Sequence, residues 1–200
     1  MKTYTKTVQE TKPRLTIWSD SDMESPREWD NLGYFITCDS KHNSPDVNQD
    51  IKRIIQSTGD KALSQEMHIK MIKAGMKAEN LGKVLAIYPV TKYEHGNVSY
   101  SLGTVHGFDS SNNGFYIVTK ESAAPIGAEV KDFEKIIRAE IETYNKWVSG
   151  EIYGFTLYDD KGEVEESCGG FYAIEEIREH LPKEWADEDL SGYIKTNWPF

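Results

Sequence analysis

Two hundred residues with 38% hydrophobic and 12% aromatic side chains, among them 11 Tyr and 5 Trp, can bury a real core, which argues against intrinsic disorder. The 23 Lys and Arg stand against 33 Asp and Glu, and a net charge of −10 disfavours direct nucleic-acid binding, because phosphate is repelled. No apolar run reaches the ~20 residues of a membrane span, and the polar start MKTYTKTVQETKPR lacks the apolar stretch of a signal peptide, so a cytoplasmic protein without a membrane partner is expected.

The charge is unevenly divided. Residues 1–60 are net −2, residues 61–125 net +2, and residues 126–200 net −10. A surface of that sign attracts basic protein surfaces, and only the mildly basic middle suits an anion. The two cysteines, Cys38 and Cys168, form no CxxC pair. Both read as buried free thiols of a reducing compartment, with a disulfide between them left open.

In chain order, residues 1–13 hold few apolar anchors and read as a flexible N-terminal arm, with one domain over 14–200. RLTIWS (14–19) alternates as a strand, and LGYFITCD (32–39) reads as a second. Ser44-Pro45 marks a helix start; Val47, Ile51, Ile54 and Ile55 share one face of that helix, which ends at Ser57-Thr58-Gly59. Leu63, Met67, Met71 and Ile72 mark a second helix closing near Gly75. KVLAIYPVT (83–91) is nearly continuous in apolar character, as a central strand is, and Pro89 near its end marks that part as an edge or as lacking a ladder partner.

NVSYSLG (97–103) and GFYIVTK (114–120) follow as strands after the turn signals EHGN and SSNNG. The longest helix is expected over 128–150, with Val130, Phe133, Ile137, Ile141, Tyr144 and Val148 in one apolar stripe and Gly150 as its stop. EIYGFTLYDDKGEVEESCGGFY is a hairpin with Asp160-Lys161-Gly162 at its tip, a short helix lies near 174–180, and LSGYIKTNWPF docks on the body. Runs of strands without βαβ alternation imply an α+β fold: a largely antiparallel sheet with one long amphipathic helix and a helical pair packed on it.

The acidic stretch SDSDMESPREWDNLG (19–33) invites a metal reading. An EF-hand loop begun at Asp20 has Asp22 and Glu24 in place, but position 6 is Ser25 and position 12 is Asn31, so that motif fails. A non-EF site for a divalent cation, built from Asp20, Asp22, Glu24 or Asp30, remains the alternative, and it would make the protein a metal-binding enzyme or module. The simpler reading is a turn in which Trp29 packs inward and Arg27 pairs with its neighbours. His42, His68, His95, His106 and His180 show no zinc spacing and read as solvated loop residues. The one candidate acid–base pair among them is His95 or His106 with Glu94 or Asp109. Cys168 sits in ESCGGFY, where Gly169-Gly170 suit a bulge or a close backbone approach rather than a nucleophile. No GxSxG, GxxxxGK[ST] or GxGxxG occurs, so no catalytic residue and no cofactor is assigned.

The C-terminal third carries the strongest signal. Glu151, Asp159, Asp160, Glu163, Glu165 and Glu166 are interleaved with Tyr153 and Tyr158, a pattern suited to occupying a basic surface with aromatic anchors.

ESPREWDNLG, YEHGNVSYS, GFYIVTKE and VSGEIYGFTLYDDKGEVEESCGGFY together resemble a family of small uncharacterised proteins carried by bacteriophages, prophages and plasmids, over roughly residues 15–173. PREWDNLG and YGF…SCGGFY are its most specific parts. The resemblance implies a mobile-element protein acting inside a bacterial host cell. Together with the acidic surface, it leads to the expectation of a non-enzymatic inhibitor of a host nuclease or other nucleic-acid-binding defence protein, of the anti-CRISPR or antirestriction type. A phage accessory interaction protein without inhibitory role is the remaining alternative.

Overall fold

The computed structural model describes residues 14–39, 43–59 and 63–195. The expected N-terminal arm, His42 and Trp198 lie outside them. The α+β class holds, and the chain divides into two compact units: Glu24–Ser149, and the flanking residues up to Met23 together with those from Gly150 onward. The first is thus inserted in sequence between two halves of the second.

The inserted unit is built on a four-stranded antiparallel sheet. Its strands are β2 (Tyr34–Thr37), β3 (Val84–His95), β4 (Asn97–Leu102) and β5 (Ser110–Thr119), in the order β2-β5-β3-β4. Alternation along β2 and β5 splits their side chains between the two faces. Phe35 and Tyr116 face the cluster that includes Phe133, Ile137, Ile141 and Tyr144; Ile36 and Phe115 face the one that includes Ile51, Ile54, Ile55, Ile72 and Met76. Both faces are covered, so GFYIVT is buried throughout, which is why it reads as an unbroken apolar run.

The helical pair is α1 (Gln49–Ser57) and α2 (Gln65–Ala78), on one face; the long helix α4 (Phe133–Ser149) covers the other, after a short α3 (Lys120–Ala123). Asn48 caps α1 through Ile51 N–H and Ser64 caps α2 through Met67 N–H. Helix α1 therefore starts later than Ser44-Pro45, and Val47 stays 82% exposed outside it. In α2 the buried side chains are Ile72 and Met76, while Met67 and Met71 face solvent. Val130 lies in a 3₁₀ turn before α4 and is exposed, so the core stripe begins at Phe133. Pro89 pairs with Phe115 of β5 but precedes the first β4 rung at Val90–Leu102, so the absent N–H falls where no second neighbour needs it.

The other unit holds a second four-stranded sheet: β1 (Leu15–Ser19), β6 (Tyr153–Tyr158), β7 (Val164–Phe171) and β8 (Ile194–Lys195), in the order β7-β6-β1-β8. All neighbours are antiparallel except β1 and β8. Leu15, Ile17, Phe155 and Leu157 pack on one face with Ile177 of α5 (Ile174–Arg178), Leu181, Trp185 and Leu190. Arg178 holds the C-terminal turns by donating to the carbonyls of Trp185 (2.9 Å), Ala186 (2.6 Å) and Glu188 (3.0 Å). On the opposite face Trp18 lies against Gly154 and Gly169.

Candidate functional site

The expected hairpin is β6–β7, and β7 is the outermost strand of its sheet. Asp159 builds the turn: its Oδ1 accepts Lys161 N–H (2.9 Å) and Glu163 N–H (2.8 Å), while Gly162 takes the positive φ of 76° that the reversal requires. The carboxylate of Asp159 is therefore engaged by the backbone rather than offered to a partner. Asp160 is almost fully exposed at the tip, with Arg14 Nε 3.9 Å away.

Along β7, Val164 to Gly169 are all exposed. Glu166 stands opposite Leu157 and Ser167 opposite Thr156, so successive side chains leave the edge in opposite directions. The register shifts between Val164 and Glu166 and again between Cys168 and Phe171. Two irregularities around so short a regular stretch, combined with the charges, mark a strand edge protected against pairing with another strand. Any partner would then be met through side chains. Among the described residues, no cation comes within ion-pair distance of Glu163, Glu165 or Glu166. Glu151 is exposed at the entry to β6; Tyr153 and Tyr158 are half-buried, and Tyr153 packs on the hydrophobic cluster. The acids of the hairpin are exposed but lie at different places on it, Glu151 at the entry to β6 and Asp160 at the tip, and its tyrosines are in part core residues. Cys168 is exposed on this edge and Cys38 is half-buried; both are free thiols, so the expectation of burial fails for Cys168.

Gly169-Gly170 serve the close approach that ESCGGFY suggests. A Cβ on Gly169 would lie 2.4 Å from Asp20 Oδ2, and that same oxygen accepts Gly170 N–H at 3.0 Å. Asp20 is thereby committed to closing the bulge, and Asp22 is exposed. Glu24 and Asp30, exposed in the inserted unit, complete the four candidate ligands. Among the described residues, no group of three or more His, Cys, Asp or Glu side chains is placed to hold a metal ion, so the metal reading of Asp20, Asp22, Glu24 and Asp30 finds no shared ligand sphere.

The PREWDNLG half instead surrounds a buried cation. Only 3% of the Arg27 side chain is exposed, and its five N–H groups all find acceptors. Nε and Nη2 grip Asp46 at 2.9 and 2.8 Å, Nη2 also reaches the Gly33 carbonyl at 2.7 Å, and Nη1 donates to Asn31 Oδ1 at 2.8 Å and Glu140 Oε2 at 2.9 Å. Glu140 also accepts from Leu32 N–H and from the Tyr116 hydroxyl, and Asp46 accepts Phe35 N–H. The guanidinium lies over the Tyr116 and Phe35 rings at 5.5 and 5.9 Å. Burial alone would lower the Arg27 pKa; its hydrogen bonds to Asp46 and the charges of Asp46 and Glu140 outweigh that and hold it above the usual arginine value. Burial has the opposite effect on the Tyr116 phenol and pushes its pKa upward. The network ties the loop to the strand and to α4. Trp29, expected to point inward, is 47% exposed.

A second buried cation went unread in the sequence. Lys92 in β3 bonds Asp39 and Glu94 (2.8 Å) beneath a cleft of about 470 Å³ lined also by Cys38, Asp109 and Asn113. Desolvation works against its charge, but the two carboxylates prevail and raise its pKa. At the cleft, His95 Nδ1 and Asp109 Oδ2 are 3.0 Å apart, so of the candidate pairs His95–Asp109 forms, whereas Glu94 serves Lys92 and His106 is exposed. His68 is no loop residue: it lies in α2, edge-on to Phe115.

Comparison with protein-family models, with curated proteins and with solved structures finds no match. No helix among the described residues is long and apolar enough to cross a membrane.

Proposed function

We propose that the protein is a non-enzymatic acidic binding protein of a mobile genetic element. It would inhibit a host nucleic-acid-processing defence enzyme, a CRISPR effector or restriction nuclease, by covering a basic surface with the β6–β7 hairpin inside the bacterial cell. The observation that carries this reading is the exposed β7 edge with the turn residue before it, where Glu163, Glu165 and Glu166 have no counter-cation among the described residues. The concentration of charge supports it. The unit that contains the hairpin holds 8 Lys and Arg against 16 Asp and Glu, net −8, whereas Glu24–Ser149 is net −2. The mobile-element context rests on the resemblance of PREWDNLG and YGF…SCGGFY. Carboxylates spaced along a stiff strand edge can oppose Lys and Arg that otherwise contact phosphate, which gives fast, salt-sensitive association.

The test uses purified host restriction nucleases and CRISPR effectors, assayed for DNA cleavage with the full chain added. Inhibition should be competitive with DNA, should weaken steeply with ionic strength, and should be lost in Glu163→Lys/Glu165→Lys/Glu166→Lys. Inhibition indifferent to salt and to that triple reversal would remove the hairpin from the interface.

A further inference from the structure

Residues 70–83 carry four lysines and one carboxylate in a chain of net charge −10. Lys70 pairs with Glu66 at 2.7 Å and Glu79 with Arg53 at 2.6 Å, which leaves Lys73, Lys77 and Lys83. The fold brings these three to the wall of one cleft of about 520 Å³, between the last turns of α2 and the start of β3. All three are exposed, and none makes an ion pair with a described residue. Lys77 has a local reason for its place, since a cation in the last turn complements the helix dipole. Lys73 has none. It lies one turn earlier on the same side of α2, and like charges four residues apart destabilise a helix. Lys83, one residue before β3, adds a third positive charge to the same wall.

The one acid of the described lining, Glu121, is turned onto the backbone, where its Oε2 accepts Lys83 N–H at 2.9 Å. Three lysines against this carboxylate leave the wall at net +2, which selects an anion. The volume lies within the ~300–1,000 Å³ of small-molecule sites. The type of cation indicates which anion. A carboxylate is met best by the planar fork of an arginine, and no arginine is among the described lining. Three ammonium groups on flexible stems act as separate point charges. They suit an anion with three charged oxygens, and a phosphate monoester carries these at a charge of about −1.5 to −2. Val84 and the aliphatic stems of the lysines offer an apolar wall to the rest of such a molecule. A long polyanion would run out of the cleft onto an acidic protein that repels it. A small one, screened from charges beyond about 8 Å, meets the lysines alone.

We propose that this cleft binds the phosphate group of a small organic phosphate, with Lys73, Lys77 and Lys83 as counter-cations and the Asn80 side-chain amide as a further donor. The site lies within the inserted unit and does not depend on the β7 edge.

The probes are adenosine 5′-monophosphate and inorganic phosphate, each titrated into the full chain at about 0.15 M salt, where distant attraction is screened. The amide resonances of Gly82 and Val84 and the side-chain amide of Asn80 should shift saturably and together. Adenosine monophosphate should bind more tightly than inorganic phosphate, and acetate should give no saturable shift. Lys73→Gln/Lys83→Gln should weaken nucleotide binding about tenfold. Lys135→Gln, which removes a charge from exposed α4 surface outside the cleft, should leave it unchanged. No saturable shift at about 10 mM of either probe, equal binding by acetate, or equal affinity in Lys73→Gln/Lys83→Gln and the parent would each overturn the proposal. So would an equal loss in Lys135→Gln, which would mark a response to net charge alone. Nucleotide binding no tighter than that of inorganic phosphate would overturn the organic part. A short single-stranded oligonucleotide binding more than about tenfold tighter than the nucleotide would replace the small ligand by a nucleic-acid backbone. None of those outcomes bears on inhibition by the hairpin.

Discussion

Replacing Arg27 by Met keeps an aliphatic stem of similar length and removes the charge at the centre of the inserted unit. Five hydrogen bonds disappear, and Asp46 and Glu140, 14% and 16% exposed, remain as neighbouring carboxylates without a cation. Breaking a buried pair from one side costs about 3–5 kcal/mol, because the abandoned charge keeps its desolvation penalty. At a urea slope of roughly 2 kcal/mol/M, the midpoint should fall by about 2 M. The loss can be located by amide hydrogen exchange at Leu32, Gly33 and Phe35, whose N–H groups donate to Glu140, Tyr116 and Asp46. Arg27→Lys should fall between, since an ammonium keeps the charge but cannot fill the fork of acceptors. Arg27→Met/Asp46→Asn/Glu140→Gln should recover part of the loss, because no charge is then stranded. A cost below about 1 kcal/mol for Arg27→Met, or a triple variant less stable than the single one, would refute the reasoning.

Alkaline pH should destabilise the inserted unit. Burial first, with the charges of Asp39 and Glu94, raises Tyr100 from 10.0 to about 12, so between those values the unfolded chain loses its proton while the folded one keeps it, and stability falls as pH rises, by about 3 kcal/mol from this group. Lys92, raised above 10.5, acts in the same direction, its ion-paired contribution being present below that pH and lost above; a melting temperature flat to pH 12 would contradict both. Gly154→Ala places a Cβ 2.4 Å from two atoms of the Trp18 ring, and overpacking of that kind should cost about 1–3 kcal/mol in urea denaturation, less when combined with Trp18→Phe. Cys168 should react with a maleimide faster than Cys38, which is half-buried with its thiol pushed up by burial; equal rates would be inconsistent with that environment. EDTA and excess Ca²⁺ should leave the melting temperature unchanged, as measured by calorimetry, since ligand bound to the native state alone would raise it.

Elements whose cause is periodic were legible in the sequence. The α4 stripe, the β6–β7 hairpin with its glycine tip, and the position of Pro89 just before the first β4 rung each follow from local spacing or from the chemistry of one residue. The buried cations were not legible in this way. Arg27 finds Asp46 at a separation of 19 residues and Glu140 at 113, and nothing in a loop composition distinguishes a carboxylate that will meet such a cation from one that will meet water. Lys92 drew no reading because KVLAIYPVT, the strand seen in the sequence, ends at Thr91; β3 runs on to His95 and carries the lysine inside. Trp29 misled for a related reason. A tryptophan is usually inward, but here Arg27 occupies the interior position and the turn carries the ring outward. The acidic half of the same loop left a metal alternative open in the sequence because Asp20 meets its partner, Gly170, only through the tertiary fold.

The pairing of Leu15 with Leu157 has a consequence for how the chain is made. Strand β1 leaves the ribosome first and must wait for β6 until everything between has been synthesised. Closing that interval as an open coil would cost ~4 kcal/mol in chain entropy. If the intervening unit completes its own sheet during synthesis, its folding removes most of that cost before Ser19 meets the Gly150 carbonyl. The sheet that holds β1 and β6 is then completed last, and a nascent chain released before Phe171 would carry a finished inserted unit and an unmatched β1.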